Sequence, residues 1–498
     1  MKITQSSWAA VAAALMVAAC GGGDGGNAGS TNANPARGAL MQTPPIRTIS
    51  LGAAEFSAEL QATGAKGALL LQLATGSSSG TLPCGVDVNY IKYSTVGGKG
   101  EAATASGALM VPTGTGCTGP HPIVLFAHGT SVEKSYNLAD VPNSSNDAYN
   151  TSILLMSQLV ANGFIVVAPN YAGYDSSSLS YHPFLIADQQ SKDMIDALRA
   201  ARKALPTLLS TASDNGKLYV TGYSQGGYVA MATAKAMEAE TVAGATDLTV
   251  NASAPLSPVS ALSTYVGYIM QGHIPVGSTY LMPMAITGYQ KTYGDVYAVP
   301  GDYYESSYAG GIETSFPGSF TSTTLVSNGI VPQLHLFSNN AATDGDATSN
   351  YLWSLGVGTG NLIKDSARTG YATSNFKTRI QTNDLSTYSP TTSHAPMMYC
   401  GGGNDPTVFF GANTIISANN ARLSPLVAIL DLENAYTGYT GFGKVTDTAP
   451  ATTIAQLQGG FQQAKTAAGD ATAQAMAYHG ILVPPFCLAA ARGFFTKY

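Results

Sequence analysis

Charge is what this sequence has least of. Asp, Glu, Lys and Arg together make 10% of 498 residues, against about 25% in a typical soluble domain. With 23 basic and 29 acidic side chains the net charge is −6. Nothing here could neutralise a row of phosphates, which excludes nucleic acid as a partner. Long apolar runs are missing too: no stretch reaches 18 uninterrupted apolar residues, so nothing reads as a membrane-spanning helix. Cysteine is scarce, at five residues, with no Cys-x-x-Cys pair and no His/Cys cluster; zinc is not expected. Gly401-Gly402-Gly403 has no Lys-Ser/Thr after it, so it is no phosphate cradle. Asp344-Gly345-Asp346 lacks the further ligands and closing Glu of a calcium loop and reads as a turn. No cofactor is expected.

What fills the deficit is small or hydroxylated: 55 glycines and 27 tyrosines, with abundant Ser and Thr. Hydrophobics at 45% rule out disorder through low hydrophobicity for most of the chain. The length allows one to three domains and a large core. A surface kept wet by hydroxyls and amides points to an exported protein.

The N-terminus agrees. Lys2 is a minimal positive n-region, and Trp8 to Ala19 is an apolar run too short to span a bilayer. It ends in Val17-Ala18-Ala19-Cys20. Small residues running into a single cysteine resemble the lipobox of bacterial lipoproteins, which implies a signal peptide over 1–20 and a lipid on Cys20; an ordinary secretory signal is the alternative. Residues 21–45, rich in Gly, Asn, Ser and Pro, read as a flexible tether. The expected location is the cell envelope, anchored by lipid at the outer membrane, or the exterior. Four cysteines remain, Cys84, Cys117, Cys400 and Cys487, an even set that permits two disulfides in three connectivities. Nearest-neighbour pairing, Cys84–Cys117 and Cys400–Cys487, is expected.

Periodicity places strands at Val86–Tyr93, Ala105–Val111, Ile123–Ala127, Phe164–Ala168 and Leu218–Thr221, and helices at Tyr149–Asn162, Asp188–Leu205 and Gln225–Ala239. In the helix from Asp188, Met194, Leu198, Ala201 and Leu205 form the apolar stripe, with Lys192, Asp196, Arg199 and Lys203 facing away. Continuous apolar strands alternating with helices predict an α/β fold with a mostly parallel central sheet flanked by helices. The alternation stops after Pro255. Residues 258–393 are Tyr- and Gly-rich and too long for a structureless loop, so an inserted cap or lid subdomain is expected there. It would divide the core into 46–257 and 394–498. The second part predicts strands at Met397–Cys400 and Val427–Asp431, then helices at Thr452–Ala467 and Leu482–Phe495.

Gly222-Tyr223-Ser224-Gln225-Gly226 lies between a strand and a helix. This is G-x-S-x-G in the context that makes Ser224 a nucleophile lifted above the sheet at a helix N-terminus. Its hydroxyl needs a base, and in this fold the partners follow as acid, then His. His273 and His335 fall within the insertion, His394 precedes the Cys400 strand, and His128 precedes Ser224. His479, placed on a loop between the last two helices, is the candidate base. Asp405, after the strand of Cys400 and a Gly-rich turn, is the candidate acid. Asp431 is its rival, and an Asx turn before Pro406 is the competing role for Asp405. The backbone N–H groups of Gln225 and Thr130 are the expected oxyanion donors. A Cys400–Cys487 bridge would tie the acid's strand to the helix after His479.

Tyr93-Ser-Thr-Val-Gly-Gly98, Ala105-Ser-Gly-Ala-Leu-Met-Val-Pro112, Ala127-His-Gly-Thr130, His182-Pro-Phe-Leu185 and the Ser224 elbow together resemble the secretory lipases, the α/β-hydrolase family typified by yeast lipase A. The resemblance runs from about residue 84 to 255 and resumes over about 396–480. It implies an α/β-hydrolase fold, a Ser224–Asp405–His479 triad and a lid inserted before the acid's strand. The expected activity is cleavage of carboxylic esters, in small or polymeric substrates, through an acyl-enzyme. A peptidase or acyltransferase on the same fold, or a non-catalytic ligand-binding lipoprotein, are the alternatives.

Overall fold

A computed structural model describes residues 35–208, 211–333, 335–338, 361–390, 395–421, 426–433 and 454–498. Cys20, His394 and the Asp344–Asp346 turn lie outside the described residues. One nine-stranded sheet organises the chain: β1 (Ile46–Leu51), β2 (Gly85–Val96), β3 (Ala102–Thr113), β4 (Gly119–Ala127), β5 (Ile165–Pro169), β6 (Ala212–Tyr223), β7 (Ala252–Leu256), β8 (Met397–Gly401) and β9 (Val427–Asp431). Their order across the sheet is β1-β2-β3-β5-β4-β6-β7-β8-β9. The first three strands pair antiparallel, and β3 pairs antiparallel with β5. From β5 onward all pairs are parallel. The fold is that of an α/β-hydrolase.

The physics of the strands follows their composition. Ile123 to Ala127 and all of β5 are buried, as strands covered on both faces must be. The β2–β3 hairpin pairs from Gly85 with Thr113 to Val96 with Ala102, and the Gly97–Gly100 turn closes it. The helices that follow β4, β5 and β6 are α1 (Tyr149–Gln158), α2 (Ala187–Ala204) and α3 (Gln225–Val242). Parallel neighbours cannot be joined by a tight turn and need a crossover. Residues 257–396 make the one between β7 and β8, and their described part is helical, with Leu262–Met270 and Ser278–Tyr293 its principal helices.

Several local expectations are corrected. β1 and the helices Ala53–Ala62 and Ala65–Thr75 stand where no element was predicted. Residues 36–41, inside the expected tether, lie along β2: the N–H of Gly38 donates to the Ser94 carbonyl at 2.9 Å, and that of Met41 to the Lys92 carbonyl at 2.8 Å. Arg37 pairs with Asp196 at 3.0 Å. Asp196 therefore faces inward, against expectation, where it also accepts from the Thr95 hydroxyl at 2.8 Å. Many of the tyrosines after Pro255 are packing rather than surface: Tyr265, Tyr289, Tyr297, Tyr303 and Tyr304 are buried.

Both disulfides join nearest neighbours, with Cα–Cα distances of 5.8 Å for Cys84–Cys117 and 5.5 Å for Cys400–Cys487. The second links β8 to the C-terminal helix Val483–Phe495. That helix is further held by buried Arg492, which donates to the carbonyls of Gln158 and Leu73 at 3.1 and 2.6 Å. A bridge closing a loop of 87 residues restricts the unfolded chain, and such bridges are worth about 2–4 kcal/mol. The double variant Cys400→Ala/Cys487→Ala is expected to lose that much in urea unfolding; an unchanged midpoint would contradict it.

Candidate active site

The carboxyl ends of β4, β5, β6 and β8 converge, which is where an open α/β sheet offers a crevice. β6 runs into the turn Tyr223-Ser224-Gln225 and then directly into α3. Ser224 is held at φ 61°, ψ −119°, a conformation that L-residues rarely adopt. Tight packing on either side imposes it. A Cβ on Gly222 would collide with the carbonyls of Gly226 and Ala127, and one on Gly226 would collide with the Ala127 carbonyl. The Ser224 N–H donates to the Leu256 carbonyl at 2.9 Å, pinning the turn to β7.

Three side chains from distant parts of the chain meet at this turn. His479 Nε2 stands 2.7 Å from Ser224 Oγ, and His479 Nδ1 stands 2.6 Å from Asp405 Oδ2. A carboxylate only accepts, so Nδ1 carries the proton and Nε2 faces the serine hydroxyl with its lone pair. The Asp405 side chain is 1% exposed and that of His479 12%. Asp405 makes both contacts proposed for it. Oδ1 accepts from the N–H groups of Thr407 and Val408 at 2.9 and 3.0 Å, forming the Asx turn, while Oδ2 faces the histidine. The buried carboxylate thus has three donors.

Asp431 does not reach His479. Its Oδ1 accepts from the N–H groups of Gly403 and Glu433 at 2.8 and 2.9 Å, so it braces the glycine turn that carries Asp405. His273 stacks on Tyr268 with ring centroids 3.6 Å apart, and the His335 carbonyl accepts from the Leu362 N–H at 3.0 Å. His128 is buried between Tyr136 and Tyr171, at 4.2 and 4.1 Å between ring centroids, consistent with a packing role. The loop it begins passes Ser224: a Cβ on Gly129 would lie 3.7 Å from that of Ser224. Thr130 follows in that loop. Gln225 opens α3, and a first helical N–H has no acceptor within its own helix.

One expectation about the base is corrected. His479 sits not on a loop but in the π-helical turn Tyr478–Leu482, between helices Ala471–Ala477 and Val483–Phe495. Such wide turns recur at functional sites. Its neighbours were missed in the sequence. Tyr223 donates from its hydroxyl to the His479 carbonyl at 2.5 Å. The Tyr478 hydroxyl donates to Glu433 at 2.7 Å and accepts from the Asn404 N–H at 3.3 Å, joining the acid's turn to the histidine's. The sole sequence signal for either was adjacency to Ser224 or His479.

The family model of the secretory lipases matches residues 144–295. Crystal structures of the rice cell wall degrading esterase LipA from Xanthomonas oryzae are similar over nearly the whole chain. A point mutant shares 25% identity at a TM-score of 0.68, covering 92% of this chain and 98% of that one. The chain is an α/β-hydrolase whose middle part matches the secretory lipase model. LipA itself shares 26% identity at a TM-score of 0.65, over 81% of the hydrolase and 92% of LipA. A chain from Legionella pneumophila, 17% identical with a TM-score of 0.61 and covering 92% of the hydrolase and 97% of itself, shares the fold. No curated protein matches by sequence at a significant level. With esterases for neighbours and a secretory lipase match that spans Ser224, the hydrolase acts on carboxylic esters. No helix among the described residues is long and apolar enough to cross a membrane.

Burial sets an acid limit on the loops around the site. It holds the pKa of His128 down to about 4 and that of His182 to about 3, outweighing bonds to backbone carbonyls. An unfolded histidine titrates near about 6.5. Below that pH the unfolded chain binds protons that the folded chain refuses, so stability is full above about pH 6.5 and is lost as pH falls. Asp193 opposes this, because burial lifts its carboxyl to about 7 and the folded state takes up that proton first. In thermal unfolding, the Tm gap between wild type and His128→Asn is expected to narrow as pH falls from 7 to 4.5. A widening gap would contradict the sign.

Proposed function

We propose that the hydrolase is an exported serine esterase or lipase working through Ser224, His479 and Asp405. The observation that carries the reading is the unbroken run of contacts, 2.7 Å from Ser224 Oγ to His479 Nε2 and 2.6 Å from His479 Nδ1 to Asp405 Oδ2. His479 Nε2 takes the hydroxyl proton as Oγ attacks the ester carbonyl. Asp405 holds the tautomer and stabilises the imidazolium. The N–H groups of Gln225 and Thr130 receive the oxyanion, in a site where lost donors typically cost about 10²–10³ in turnover. The imidazolium then protonates the leaving alkoxide. Water, activated by the same histidine, frees the acid from Ser224. Residues 258–393 form a cap over this core, and the substrates are small or polymeric esters.

Export rests on the N-terminal segment, and two disulfides fit an oxidising compartment. Cys20 carries the lipid that holds the hydrolase at the envelope. Incorporation of an alkyne-tagged fatty acid, lost in Cys20→Ala, checks that anchor.

A fluorophosphonate probe is expected to label the wild type and not Ser224→Ala. Turnover of a p-nitrophenyl ester should fall about 10⁴-fold or more in His479→Ala and Asp405→Asn, with circular dichroism unchanged. Label on another residue, or an Asp405→Asn variant of wild-type activity, would sink the reading.

A further inference from the structure

Behind the nucleophile elbow lies a buried polar column that the reaction does not use directly. The Gln225 side chain is turned away from the crevice, 1% exposed. Its Nε2 stands 2.7 Å from His182 Nε2. His182 Nδ1 stands 2.8 Å from the Ala172 carbonyl. A carbonyl only accepts, so Nδ1 carries the proton and Nε2 accepts from the Gln225 amide. Burial keeps this ring neutral, with its pKa at about 3.

Ala172, whose carbonyl His182 grips, is held through its N–H as well. The Ala172 N–H donates to Asp193 Oδ2 at 2.6 Å, and Asp193 Oδ1 accepts from the Tyr93 hydroxyl at 2.7 Å. These bonds fix a turn in which Tyr171 sits at φ 67°. The Tyr171 ring stacks on His128 at 4.1 Å and on His182 at 5.5 Å between centroids. Its hydroxyl donates to the His128 carbonyl at 3.0 Å. His128 is the residue from which the Gly129–Thr130 loop departs.

We propose that His182 and Tyr171 are a positioning pair that sets both oxyanion donors from behind, His182 through the Gln225 side chain and Tyr171 through the His128 carbonyl. The two donors belong to loops after the neighbouring strands β4 and β6, and an element packed against both loops steadies their separation. The turn after β5, which lies beside β4 in the sheet, does this. Neither residue touches substrate. The inference rests on the reading of Ser224, Gln225 and Thr130 above.

The test measures kcat and KM on a p-nitrophenyl ester, Tm, and inhibition by a trifluoromethyl ketone, which forms a tetrahedral adduct on the nucleophile. Tyr171→Phe deletes one hydroxyl; Gln225→Met keeps the volume and loses the bond. Each is expected to lower kcat about 10- to 100-fold, less than outright loss of a donor. KM should stay within about twofold, and ketone affinity should weaken by the same factor as kcat/KM. His182→Gln, which keeps an acceptor toward Gln225, should retain more kcat than His182→Leu. If the His182 variants do not fold, the other two decide. Variants with kcat within about twofold of wild type, a rise in KM alone, or ketone affinity that does not follow kcat/KM would overturn the pair. A wild type that fluorophosphonate does not label at Ser224 would overturn the triad reading and this one together. A labelled, active wild type with unaffected variants overturns this one alone.

Discussion

The close approach of α3 to the end of β4 is the constraint on which the site depends. Because backbone meets backbone there, positions 222 and 226 admit no side chain, and the chain between them must turn sharply enough to put Ser224 at positive φ. Strain of that kind typically costs about 1–3 kcal/mol and persists only where the surroundings over-determine it. Here they do: the turn is bonded to β7 through the Ser224 N–H, and both flanking elements are buried. The result is a hydroxyl held rigidly above the sheet at a helix N-terminus, where developing negative charge is favoured.

Everything that faces the hydroxyl is delivered by long-range packing. Asp405 comes from the turn after β8, which Asp431 braces from β9 and Tyr478 from the last helical segment. His479 comes from a π-turn whose carbonyl is held by Tyr223, the residue before Ser224. The Cys400–Cys487 bridge closes the same circuit covalently, since its two ends lie just before the acid and just after the histidine. The hydrogen bonds that place His479 are thus made by residues at or beside Asp405 and Ser224, and a displacement of one partner is felt by the others.

Much of this was legible locally. Strands buried on both faces announce themselves as solid apolar runs, so β4, β5 and β9 were located closely. The G-x-S-x-G elbow was legible because close backbone packing demands glycine whatever the surroundings. Asp405 could be singled out because a strand, a glycine turn and Asp-Pro follow one another. What failed did so for want of partners. Asp196 lies on what periodicity marks as the outer face of α2, and only the docking of Arg37 and Thr95 makes that face an interior one. The tyrosines after Pro255 have both an apolar ring and a hydroxyl, and composition cannot say which of the two the fold uses.

The sequence by itself determined the strand–helix alternation, the glycines that force the elbow, the even set of cysteines and the order serine, acid, histidine, because each is a property of neighbouring residues or of simple counting. Only the tertiary structure decided that His479 rides on a widened helical turn rather than a loop. It alone also settled that Asp405 divides its two oxygens between an Asx turn and the imidazole, and that Tyr223, Tyr478 and His182 stand behind the Ser224 turn and His479. Those are relations between residues dozens to hundreds of positions apart, and a linear pattern holds no information on such distances until the sheet has brought its strands side by side.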